Sequence, residues 1–135
     1  MYSAETSYRV LYADIDQMGY MYYGQYAKLF EIGRVEALRK LGLSYKEVED
    51  IGIWMPVYEV NSRYLEPAKY DDLLCIKTTI NTLPKARIVF ETEIYNEVGT
   101  HLHTAKVTLV FIRSSDKKLQ LCPQIMTDKL LPFFK

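Results

Sequence analysis

A chain of 135 residues in which 49% of side chains are apolar can build its own core without metal or disulfide staples. Its 17 basic and 17 acidic side chains cancel, which removes the bulk attraction of a nucleic-acid or anionic-membrane binder and leaves only local basic patches. Cys75 and Cys122 form neither a disulfide framework nor a CxxC site, and the residues from Met1 to Val10 read as neither a basic n-region with an apolar h-region nor an apolar run long enough to span a bilayer. The expectation is one cytoplasmic domain, residues 1–135, with reduced packing cysteines and no membrane insertion.

Residues 6–13 alternate loosely and predict a first strand ending at the acidic turn Asp14 to Gly19. From Gly24 to Leu41 the spacing becomes helical: Tyr26, Leu29, Phe30, Gly33, Ala37 and Leu41 recur at three- and four-residue intervals, and Gly42 supplies a stop. Ala27, Ile32, Val35 and Leu38 widen the apolar surface, so most of this helix should be enclosed by other elements. Ser44 and Glu47 spell a capping box for a short helix, Tyr45 to Asp50, ended by Gly52.

β-like runs follow at Trp54–Tyr64, Leu73–Leu83, Arg87–Glu97 and His101–Arg113, separated by turn material at Glu66-Pro67, Leu83-Pro84, Asn96 to Gly99 and Ser114 to Asp116. Short connections predict hairpins and an antiparallel meander, with the first strand added from the N-terminal side and the long helix covering one face. Pro123 to Leu131 reads as a small terminal helix ended by Pro132. The expected class is α+β: a curved five-stranded antiparallel sheet around one long helix. Such a sheet leaves an edge exposed, which favours self-association.

The chemistry concentrates in Tyr12-Ala-Asp-Ile-Asp-Gln-Met-Gly-Tyr-Met-Tyr-Tyr-Gly-Gln-Tyr26. An acidic turn feeding a helix places a potential base beside unpaired backbone N–H groups suited to a developing oxyanion. Aspartates are also ordinary turn and N-cap residues, and Asp14 reads as structural. The 12 tyrosines suit half-buried clefts and subunit contacts, or are plain strand residues. Met18, Tyr20, Met21, Tyr22, Trp54, Met55 and Tyr58 are available either to a tunnel or to the core. His101 and His103 lie two apart on one strand, but no third ligand has matching spacing; they read as solvent-exposed hairpin residues, and no metal or cofactor is expected.

The element order, the motif Tyr-x-Asp-x-Asp-x-x-Gly followed by Tyr-x-x-Tyr, the helix text Phe30 to Arg39, and Tyr64-Leu-Glu-Pro-Ala-Lys-Tyr-Asp-Asp-x-Leu resemble the hot-dog-fold acyl-CoA thioesterases. The nearest groups are 4-hydroxybenzoyl-CoA thioesterase and the small bacterial acyl-CoA thioesterases associated with the Tol-Pal system. The resemblance runs over essentially the whole chain. It implies hydrolysis of an acyl-CoA to free acid and CoA without cofactor, with Asp16 as general base or nucleophile. It also aligns Tyr23 with the residue whose backbone N–H polarises the thioester carbonyl, while Gly19 lets the chain turn tightly toward the substrate.

Tol-Pal-associated members carry histidine where this chain has Tyr23, so a histidine-assisted mechanism does not transfer. Related enzymes place a carboxylate on the helix, which makes Glu31 a second candidate; an ion pair with Arg34 or Lys28 explains it as well. Lys85 and Arg87 align with a basic run at the nucleotide end of CoA, or are a solvated hairpin end; Arg63 and Lys69 are weaker candidates of the same kind. The resemblance further implies a homodimer with a continuous sheet, often doubled to a homotetramer, with active sites at the subunit interface. The alternatives are a hot-dog hydratase, which needs a histidine near the helix where none lies before His101, and a non-catalytic acyl-CoA or small-molecule binding module.

Overall fold

A computed structural model describes all of residues 1–135. Strand β1 (Tyr2–Arg9) leads through a 3-10 turn at Tyr12–Asp14 and a second at Tyr23–Gln25 into helix α1 (Tyr26–Lys40). After α1 come helix α2 (Tyr45–Asp50), strands β2 (Ile53–Trp54), β3 (Val57–Tyr64), β4 (Leu73–Ile80), β5 (Arg87–Tyr95), β6 (His101–Arg113) and β7 (Leu119–Gln120), and helix α3 (Gln124–Leu130). The five long strands and the central helix make the hot-dog arrangement. The capping box at α2 is formed, with the Glu47 N–H donating to Ser44 Oγ at 3.2 Å.

Two expectations need correction. The first strand begins at Tyr2 rather than at residue 6, because its inward positions, Tyr2, Ala4, Thr6 and Tyr8, alternate too weakly in hydropathy to be seen without their partners Ile80 to Leu74 on β4. The predicted run Trp54–Tyr64 divides at Met55-Pro56, where Pro56 has no N–H to offer a ladder.

The meander is also incomplete. Strand order is β1-β4-β5-β6, and β3 pairs with β6 from Val57↔Leu109 to Tyr64↔His103 rather than with its successor β4. Residues 65–72 therefore cross from the edge strand β3 to β4, which lies between β1 and β5, instead of turning a hairpin. That crossing is clipped to the acidic turn: the Met21 N–H donates to Ala68 O at 2.8 Å, and Tyr20 bridges Lys69.

Helix α1 packs on β1, β4 and β5. Leu29, Phe30, Ala37 and Leu38 are buried against Ile76, Ile80, Phe90 and Ile94 from the inner sheet face. Strand β3 lies beyond the helix, and all eight of its residues are exposed. Gly33 sits where helix and sheet come closest. A Cβ there would overlap Thr78 Oγ1 and stand 2.8 Å from Ile76 Cγ2. Gly33→Val should lower stability by about 1–3 kcal/mol through overpacking, read by urea or thermal unfolding. An unchanged midpoint would mean that the helix is not seated on β4 as described.

Candidate active site

Asp14 organises the turn ahead of α1. It is buried, and its carboxylate accepts from the Tyr8 hydroxyl (2.7 Å), the Leu11 N–H (2.8 Å) and the Lys28 ammonium (2.8 Å). Burial works to raise its pKa, but Lys28, Tyr8 and Leu11 together outweigh burial and leave it below the usual carboxylate value. Its carbonyl also accepts the Tyr22 N–H at 2.8 Å, so one residue ties β1, the turn and the helix start together.

Asp16 stands two residues on, half-buried. Its Oδ1 accepts the Met18 N–H at 2.9 Å, with the Tyr20 N–H at 3.4 Å. Its carbonyl accepts the Gly19 N–H, and Gly19 takes a φ of +81°, a conformation that costs a glycine little. At the helix start the first internal bonds run from Gln25 to Tyr22 and from Tyr26 to Tyr23, leaving the Tyr23 and Gly24 amides ahead of them.

A cleft of about 280 Å³ joins these parts. Asp16, Met18, Tyr20, Met21 and Tyr23 form one side, Tyr26 the floor side, and Tyr64, Leu65, Glu66 and Pro67 the other. Of the apolar residues read as tunnel candidates, Met18, Tyr20 and Met21 line it; Trp54 and Met55 instead line a separate depression with Glu31, Arg34, Tyr45 and Glu49. Tyr58 lies under the Arg87 guanidinium, 5.5 Å from the ring centroid. Tyr64 to Pro67 belong to the motif that carries the family resemblance, but Tyr64 reads as a strand end and Glu66-Pro67 as turn material, and nothing in the sequence assigns them to the site; the crossing from β3 to β4 brings them here.

Glu31 is away from the Asp16 cleft, and neither expected ion pair forms. Lys28 holds Asp14, and Arg34 Nε donates to the Tyr45 hydroxyl at 2.9 Å. Lys85 and Arg87 lie together at the β4–β5 connection, and Arg63 lies on β3 near Asn61, Thr104 and Lys106. Arg87 pairs with Val110, while the cleft residue Tyr64 pairs with His103. At about 3.3 Å per residue, those two points on β6 are roughly 23 Å apart, so one chain does not bring Lys85 or Arg87 to its own cleft. Lys69, bridged to Tyr20, is nearer.

The histidines are not solvent-exposed hairpin residues. His103 follows the inner-face alternation of Ala105, Val107 and Leu109 and is fully buried opposite Ile94, whereas the register shift between Ile94 and Tyr95 leaves Leu102 unpaired and sets His101 opposite Tyr95, on which it stacks at 4.7 Å. Burial, with His101 adding to it, holds the His103 pKa down at about 4, and the ring is neutral at pH 7. His103 packs on Tyr26 and Phe30 of α1, so distance along the chain was a poor guide to which histidine reaches the helix.

An acid and unsatisfied amides at the mouth of an enclosed helix, under a curved antiparallel sheet, are the features of a hot-dog thioesterase. The thioesterase superfamily model matches residues 18–102, and the chain belongs to that family. YneP of Bacillus subtilis is 31% identical over 99 residues, 73% of this chain and 72% of that one. The acyl-CoA thioester hydrolase YbgC of Escherichia coli is 29% identical over 127 residues, 94% and 92% of the two chains. The crystal structure of a DHNA-CoA thioesterase from Staphylococcus aureus matches with a TM-score of 0.86 at 31% identity, covering 99% of this chain and 87% of that one.

Proposed function

We propose that this protein hydrolyses an acyl-CoA thioester to the free carboxylic acid and CoA, with Asp16 acting on the carbonyl carbon or on its attacking water. The observation that carries this reading is the placement of Asp16 and Tyr23 on one aromatic-lined cleft at the helix start. The thioester oxygen rests on the Tyr23 amide, where the partial positive charge of the helix end meets the charge that develops during attack. As general base, Asp16 takes a proton from water as its oxygen adds to the carbonyl. As nucleophile it forms a mixed anhydride that water then opens. In both routes the C–S bond breaks, CoA leaves as the thiolate, and no redox partner is required.

A second copy completes the site in this proposal. Strand β3 offers a free edge with Val57 and Val60 each 47% exposed and Tyr58 64% exposed, a surface suited to pairing with another β3. A two-fold axis there runs the two β3 strands antiparallel, so the far end of β6 in one protomer approaches the cleft of the other. Lys85 and Arg87 then face the second copy's cleft, where cations are needed for the phosphates of CoA.

The test is a panel of acyl-CoAs of graded length and aromatic character, with thiol release followed colorimetrically. Release from at least one class is expected. Saturable ligand binding with no thiol release from any of them would select the non-catalytic binding module instead.

A further inference from the structure

A buried histidine lies one ring behind the cleft wall and takes no part in the chemistry just described. His103 is 0% exposed, so it touches neither solvent nor substrate. Its ring is stacked on Tyr26 at 4.3 Å and 24°, and it meets the edge of Tyr64 at 4.6 Å and 77°. Those two tyrosines also meet each other at 5.1 Å and 84°, and both line the Asp16 cleft. His103 Nε2 is hydrogen-bonded to Ser62 Oγ, while Nδ1 has no partner in the chain.

Packing alone does not account for an imidazole here. A phenylalanine or leucine would fill the space without leaving a polar nitrogen among apolar neighbours. The imidazole adds direction. Its bond to Ser62 fixes how the ring is turned, and Ser62 belongs to β3, the strand that α1 leaves uncovered. Tyr64 is 53% exposed on that same strand and would otherwise be free to swing. A ring fixed by a hydrogen bond therefore holds a half-free tyrosine against a buried one.

The geometry points to His103 as a specificity-determining residue that, anchored by Ser62, fixes the Tyr26–Tyr64 corner of the cleft and so decides which acyl groups fit. This rests on the thioesterase reading. Hydrophobic pockets discriminate by shape, and small changes in apolar volume shift substrate ratios by about 10–200-fold. Removing the ring lets the tyrosines sink and lengthens the cleft. The role is one of positioning, because His103 acts through the tyrosines.

The test compares kcat/KM for octanoyl-CoA and benzoyl-CoA in the wild type, His103→Ala, His103→Asn and Ser62→Ala. A loss of folded protein lowers both rates alike, whereas loss of the corner moves their ratio. His103→Ala should raise the octanoyl-to-benzoyl ratio about tenfold or more. Ser62→Ala removes the anchor and keeps the ring, and should move the ratio the same way by less; any loss of stability from the orphaned His103 Nε2 lowers both rates alike and leaves the ratio as the readout. An active wild type whose ratio persists in both Ser62→Ala and His103→Asn would overturn the role of His103 and leave the hydrolase reading standing. A wild type that releases no thiol from any ester of the full acyl-CoA panel would remove the hydrolase reading and this one with it.

Discussion

Asp16→Asn is expected to reduce thiol release by roughly 10²–10⁴-fold, the usual contribution of a positioned acid–base group, with the folding midpoint unchanged. The two halves of this expectation have separate origins. In the structure Asp16 Oδ1 closes the turn by accepting the Met18 N–H, and an asparagine Oδ1 accepts the same bond. The substitution therefore keeps the turn and removes only the carboxylate's charge and basicity. Asp16→Ala loses both and should be equally inactive but less stable, which separates a turn role from a chemical one. Steady-state kinetics on the substrate that the wild type prefers, with thermal melting of both variants, makes the comparison. Full activity in the asparagine variant would place the chemistry elsewhere in the cleft, with Glu66 the nearest other carboxylate on its wall.

The central helix and the acidic turn were legible because each is a local pattern. Apolar spacing marks Tyr26 to Lys40 over many residues, and Gly19 marks the turn by its backbone preference. The β6 span His101–Arg113 was read to the residue, since a long alternating run bounded by turn residues has few other readings. What escaped is what depends on pairing between distant segments. Nothing near Glu66-Pro67 distinguishes a hairpin from a crossing, yet that choice decides whether Tyr64 to Pro67 face solvent or the Asp16 cleft. His103 shares the inner-face phase of Ala105, Val107 and Leu109, but a histidine at a strand end beside turn residues gives no sign of the Tyr26 and Phe30 rings of α1 that cover it. Lys85 and Arg87 stand apart from the cleft for a related reason: their place is set by strand direction across the whole sheet, and a basic pair near a turn carries no information about which end of the sheet it occupies.

Asp14→Ala should cost about 2–4 kcal/mol of stability, a fall in midpoint on the order of 10 °C, because three donors lose one acceptor. The Tyr8 hydroxyl and the Leu11 N–H lose their acceptor at the end of β1, while Lys28, whose side chain is 40% exposed, recovers part of its hydration. That recovery keeps the cost below what a wholly enclosed pair would show. Acid supplies an internal check. The Asp14 pKa is lower in the folded than in the unfolded chain, so its contribution is present in full above the unfolded value of 3.8 and disappears as pH falls through the folded one. The difference in stability between wild type and Asp14→Ala should therefore be flat near neutrality and shrink only below about pH 4. His103 acts earlier and in both proteins alike. Its folded pKa of about 4 lies below the ordinary 6.5, so the unfolded chain takes up that proton first and stability declines as pH drops between those values. Urea titrations of the two proteins from pH 7 to pH 3 separate the effects, since the histidine cancels in the difference and the aspartate does not. A difference that is already absent at pH 7 would show that the bonds to Tyr8, Leu11 and Lys28 do not anchor the turn that carries Asp16.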